Sequence, residues 1–100
     1  MAAQIEYHPL FWEDVEAQAI YLQNEAELGA EFLERVDEAI ASVKSMPEAH
    51  SRLYGNTRNI ILNKFRRHTI HFEFFNDANL IRFYGLFHGS ENPSKWPDRI

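Results

Sequence analysis

The spacing of hydrophobic residues changes period once along this chain. In residues 10 to about 24, Phe11, Val15, Ala19 and Leu22 recur at helical spacing, which predicts an amphipathic helix with one apolar stripe. Pro9 stands where a helix starts, since its missing N–H costs little there. Glu13, Asp14 and Glu16 fall in the early turns, where carboxylates meet the positive end of the helix dipole. Residues 25–29 read as a break. A second helix is predicted over residues 30 to about 46, with Phe32, Val36, Ala39, Ile40 and Val43 as its stripe and Glu31, Glu34, Asp37 and Glu38 mostly off it. Glu31 and Arg35 are four apart and suited to a surface pair. Pro47 stops the helix. Two helices joined by so short a link predict an antiparallel hairpin.

The helical period is absent outside that hairpin. Residues 4–8 alternate weakly and read as a short strand ending at Pro9. Residues 47–56 hold Pro, His, Ser, Gly and Asn and read as a loop. Three strands are predicted after it, over residues 57–63, 68–75 and 80–88, with a turn at Asn76-Asp77-Ala78-Asn79 between the last two. Ile70, Phe72 and Phe74 alternate with Thr69, His71 and Glu73; Ile81, Phe83 and Phe87 alternate with Arg82, Tyr84 and His88. Such alternation assigns one face to the core and the other to solvent or a partner. Residues 89–100 read as an irregular tail. The order β-α-α-β-β-β predicts a single α+β domain over residues 1–100, an antiparallel sheet covered on one face by the N-terminal helical hairpin. Its expected core includes Phe32, Val36, Ile40, Ile70, Phe72 and Phe83.

Composition narrows the function classes. At 100 residues and 45% hydrophobic, the chain supports one core rather than two. It has no Cys, so disulfides, thiol nucleophiles and Cys-type zinc sites are excluded. Its apolar runs fall far short of the roughly 20 residues that span a bilayer, and residues 1–6 lack a secretory pattern; a cytoplasmic protein without membrane contact is expected. Charge is unevenly divided. Residues 1–50 carry 2 basic and 11 acidic side chains, and residues 51–100 carry 8 basic and 4 acidic. This is either a solvated acidic helical half or the mark of a basic working surface in the second half. The net charge of -5 opposes strong nonspecific binding of nucleic acid.

Candidate chemistry lies in the strands. Strict alternation puts Arg82, Tyr84 and His88 on one face of the last strand, with His71 and Glu73 as possible neighbours. Metal-free RNA cleavage uses this kind of set: a base for the 2′-OH proton, Arg for the charged phosphorane and an acid for the leaving oxygen. Solvated sheet-face residues share the same pattern. Lys64, Arg66, Arg67 and His68 form a basic cluster, readable as a solvated strand end or as a phosphate site. His68 and His71 fall on opposite strand faces, which argues against a shared metal. No phosphate loop, Ser nucleophile motif or zinc motif is present, so neither metal nor cofactor is expected.

Element order and placed residues together resemble the RelE/ParE superfamily of bacterial toxins and plasmid stabilisation proteins, in its ParE-like branch. Pro9, Asp14 and Val15 match the opening of that pattern, with Phe11 where it has Ala. Ala30, Phe32, Val36, Ile40, Val43 and Pro47 match its second helix. Arg58, Ile60, Leu62 and Phe65 match the next strand, Ile70 and Phe72 the following one, and His88, Pro93 and Trp96 the end. The chain departs from it at Glu91 and Asn92, where Arg and Asp are common, and in its acidic helical half. The resemblance implies a growth-inhibiting toxin of a type II toxin–antitoxin system, neutralised by a cognate antitoxin and acting on DNA gyrase without an enzymatic site. A RelE-type alternative is a ribosome-dependent mRNA endoribonuclease using His88, Arg82 and Tyr84. A third reading is a non-toxic binder with the toxin fold. Arg58, Arg66, Arg67 and Trp96 are the candidate partner contacts.

Overall fold

The computed structural model describes residues 3–89. β1 (Gln4–Tyr7) leads into α1 (Phe11–Ala26) and α2 (Gly29–Ser45), followed by a single 3-10 turn (Pro47–Ala49). Then come β2 (Arg52–Tyr54), β3 (Thr57–Ile61), β4 (His68–Phe75) and β5 (Leu80–His88). The strands form one sheet in the order β1-β5-β4-β3-β2.

The helices begin and end where local chemistry satisfies their backbone. The His8 carbonyl accepts from the Phe11 N–H at 2.9 Å, and the His8 ring Nδ1 accepts from the Leu10 N–H at 3.1 Å. His8 thereby does the work of a polar N-cap side chain, which Leu10 lacks. The break between the helices is shorter than residues 25–29. Only Glu27 and Leu28 leave the helical path, with Glu27 left-handed at φ 57°. Gly29 then lets α2 start against α1: a Cβ there would stand 3.0 Å from the Ala19 carbonyl oxygen. Any larger residue would push the hairpin apart.

The hairpin packs on one face of the sheet as expected. Phe11, Val15 and Ala19 of α1 and Phe32, Val36, Ala39, Ile40 and Val43 of α2 meet Ile70, Phe72, Ile81, Phe83 and Leu86. All six expected core residues are buried, with Phe32, Ile70, Phe72 and Phe83 at 0% exposure. No helix among the described residues is long and apolar enough to cross a membrane.

Three features of the sheet differ from the expectation. The sheet is mixed rather than purely antiparallel, because β1 lies parallel to β5, with Gln4 opposite Leu80 and Tyr7 opposite Phe83. Residues 47–56 are not only a loop: β2 forms within them and pairs with β3 around a turn at Gly55, whose φ is 52°. Finally, the β4–β5 ladder slips by one residue. His71 faces Gly85 while Phe72 faces Phe83, so Tyr84 is the extra residue of a β-bulge. The first two reflect pairings between distant or very short segments, which periodicity does not encode. The third reverses the phase of the strand's end: Leu86 joins the core, and Phe87 packs against His71 instead, with ring centroids 4.6 Å apart.

Phe72 sits at the centre of this core, 6.0 Å from the Phe83 ring and 5.7 Å from the His50 ring. Phe72→Ala is expected to lower stability by about 3–5 kcal/mol. Urea denaturation of the two proteins measures it; a loss below about 1 kcal/mol would mean that this ring is not part of a close-packed interior.

Candidate functional site

The sheet face opposite the helices carries the polar residues of β4 and β5. Glu73 and Arg82 are opposite one another in the β4–β5 ladder, as are Glu6 and Arg82 between β1 and β5. Arg82 Nε donates to Glu6 Oε1 at 2.9 Å, and its guanidinium lies 4.9 Å from the Phe75 ring centre. The Tyr84 hydroxyl donates to Glu73 Oε1 at 2.9 Å. Burial and the adjacent Glu73 carboxylate push the Tyr84 phenol up to about 12, so at neutral pH it stays a protonated hydrogen-bond donor. His71 is buried on this same face, near Thr69 Oγ1 at 3.3 Å and below the Phe87 and Tyr54 rings. Burial holds its imidazole down at about 4, and it is therefore neutral.

His88 does not join this group. The bulge turns it to the helix side, where its ring lies 4.8 Å from that of His68, its partner across the ladder. The expectation that Arg82, Tyr84 and His88 share a face is thus overturned. Strict alternation fails once Tyr84 is left out of the pairing. The sequence did hold a signal: Gly85 stands alone inside an apolar strand, which is where bulges occur. His68 is itself buried, with Nε2 2.9 Å from Gln18 Oε1 of α1. Burial first, and His88 second, lower its imidazole to about 4.

The basic residues have separate positions. Arg58 spends its guanidinium on the chain before β2, donating to the His50 carbonyl at 2.6 Å and the Glu48 carbonyl at 3.3 Å. Lys64 pairs with Glu31 of α2. Arg66 and Arg67 are exposed in the β3–β4 connection, and the Arg67 carbonyl accepts from the Gly89 N–H at 2.7 Å. Trp96, with Glu91, Asn92 and Pro93, lies outside the described residues. Periodicity had no means of revealing Glu6, Gln18 and Asp14. The Asp14 carboxylate accepts from the Leu86 N–H at 3.3 Å, just beyond the point where β1 stops pairing with β5. Asp14 is more than a first-turn dipole residue: it ties the helix to the strand end past the bulge. Among the described residues, no three His, Asp or Glu side chains gather as metal ligands.

A helical hairpin on one face of a five-stranded mixed sheet, with a polar network on the other face, defines a small α+β protein. The fold is that of the RelE toxins. It superposes on a double mutant of free Escherichia coli RelE with a TM-score of 0.67 at 15% identity, covering 100% of this chain and 99% of that one. Against the intact E. coli RelBE toxin–antitoxin complex the TM-score is 0.65 at 13% identity, over 91% of this chain and 100% of that one. Against the RelBE2 complex of Mycobacterium tuberculosis it is 0.62 at 8% identity, over 88% and 99%. No protein-family model matches the sequence, and no curated protein matches it. The likeness is one of fold, and it is the fold that the sequence resemblance implied.

Two buried neutral histidines make stability depend on pH. Each has a folded-state value near 4 against an ordinary 6.5. Between those values the unfolded chain binds more protons than the folded one, so stability is complete above pH 6.5 and falls as pH drops towards 4. The expected slope is about 1.4 kcal/mol per pH unit for each histidine. Urea midpoints measured from pH 7.5 to 4.5 should show it, and His71→Phe should remove about half the slope. A flat profile would show that these rings are solvated in the folded protein.

Proposed function

We propose that this chain is the toxin of a type II toxin–antitoxin system, held inactive by a cognate antitoxin and acting in the cytoplasm by binding a protein target, DNA gyrase. Support for the toxin reading comes from the fold shared with RelE toxins, some of which were solved with their antitoxins, together with the ordered residues from Pro9 to His88. One observation favours a binding rather than a cleaving toxin: the groups that RNA cleavage would need are divided or already engaged. His88 is on the helix side, Arg82 is paired with Glu6, and the Tyr84 phenol is bound to Glu73. A cleavage site needs an acid and a base at one point and an uncompensated cation for the phosphorane. A carboxylate beside both Arg82 and Tyr84 opposes the approach of a phosphate.

The second reading is the ribosome-dependent mRNA endoribonuclease. It is favoured by the match in fold to RelE itself and by Arg82 and Tyr84 sharing one sheet face. The two readings separate in vitro. The purified chain is expected to block gyrase supercoiling and to leave mRNA on ribosomes intact. Arg82→Ala should then weaken growth inhibition only as far as it touches an interface. Loss of a positioned catalytic group costs about 10²–10⁴-fold in rate. mRNA fragments that appear with the native chain and vanish with Arg82→Ala or Tyr84→Phe would therefore install the nuclease in place of the gyrase reading. Expression alone should slow bacterial growth, and co-expression of an antitoxin from the adjacent gene should restore it. Normal growth at high expression would leave a non-toxic binder with this fold.

A further inference from the structure

The outer side of the helical hairpin is neither core nor ordinary solvated surface. Between α1 and α2 runs a groove of about 380 Å³ lined by Ala19, Ile20 and Gln23 on one side and Gly29, Ala30 and Leu33 on the other. Ile20 is 53% exposed and Leu33 43% exposed. One helical turn along each helix stand Glu16, four residues before Ile20, and Asp37, four after Leu33, so each shares a face with its apolar neighbour. Trp12, a further turn along α1, is 47% exposed.

The two helices that form the groove are strongly acidic. Residues 11–45 carry nine acidic and two basic side chains. Of the two bases, Arg35 is engaged with Glu31 and Glu38, and Lys44 lies in the last turn of α2. Glu16, Glu34 and Asp37 have no ion pair among the described residues. The structure thus shows an apolar slot between two small-residue helix faces, bordered by uncompensated carboxylates.

We propose that this groove docks a basic amphipathic helix of a partner protein, its apolar residues on Ile20 and Leu33 and its Lys or Arg residues on Glu16, Glu34 and Asp37. An amphipathic helix presents anchors at three- and four-residue spacing, which a groove between two helices accepts. Charge decides the occupant: an acidic helix, or the equally acidic hairpin of a second copy, would set like charges against each other. This surface is separate from the sheet face considered above, and the proposal does not depend on toxicity.

A synthetic peptide tests it, with Leu along one helical face and Lys along the other, followed by fluorescence anisotropy against the full chain. The Lys peptide is expected to bind, more weakly as salt rises. The same peptide with Glu for Lys should bind at least about tenfold more weakly, and a scrambled sequence of equal composition should fail. Leu33→Asp should abolish binding. Unfolding would give the same loss, so Glu16→Lys combined with Asp37→Lys is the sharper test, since it should reverse the preference towards the Glu peptide, a gain that unfolding cannot produce. Equal binding of ordered and scrambled Lys peptides, or of neither peptide, overturns the proposal. So does self-association of the chain in sedimentation that Leu33→Asp abolishes. A chain that binds the Lys peptide but leaves growth and gyrase unaffected would keep this inference and remove the toxin reading.

Discussion

The arrangement of both faces of the sheet depends on one extra residue in β5. This strand lies between β1 and β4, so its side chains define the core on one side and the polar network on the other. With strict alternation, Ile81 and Phe83 would be followed inward by Gly85 and Phe87. Leaving Tyr84 out of the ladder puts Leu86 inward instead. The small Gly85 then sits beside the bulge, where a bend in the strand is easiest. Phe87 covers His71, and His88 is carried across to His68. A one-residue slip inverts every later side chain, and here it decides which titratable groups can act together.

The charge asymmetry along the sequence is partly resolved in space. Glu6 from the acidic half meets Arg82 from the basic half, and Glu31 meets Lys64. Such exposed pairs are screened by solvent and salt, so they orient elements more than they stabilise them. Stability rests on the aromatic and aliphatic core around Phe11, Phe32, Phe72 and Phe83. After these pairings, the helices keep an excess of negative charge, while Arg66 and Arg67 stay exposed in the β3–β4 connection. This charge distribution is carried on a fold that RelE toxins share. A fold hosts many activities, and the chemistry lies in the residues grafted on it. On the sheet face of this chain, Arg82 is paired with Glu6 and the Tyr84 hydroxyl with Glu73.

Much of the architecture was legible because it is written in local periodicity. Val15, Ala19, Val36 and Ile40 announce two helices, Ile70, Phe72 and Phe74 announce β4, and Pro47 and the Asn-rich turn at 76–79 mark the ends. Each signal involves residues a few positions apart, and the hydrophobic effect acts on them in the same sense whatever the rest of the chain does. The six expected core residues are accordingly buried. Candidate chemistry was less legible. Arg82 and Tyr84 do share a face, but whether His71 and Glu73 join them depended on a register that only the structure supplies; His88 was assigned to the wrong face, and Glu6, Gln18 and Asp14 carried no local mark.

The sequence by itself therefore determined both helices, four of the five strands, their apolar faces up to the bulge in β5, and the α+β order of the chain. Tertiary structure alone decided that β1 runs parallel to β5, that β2 extends the sheet, that Tyr84 is skipped, and that Glu6 reaches Arg82 across 76 positions. The reason lies in the range of the forces. Burial of an apolar stripe is settled within one or two turns of chain. A pairing direction, a ladder register and a cross-strand ion pair exist only once distant segments have met, and their energies depend on partners that no local pattern names.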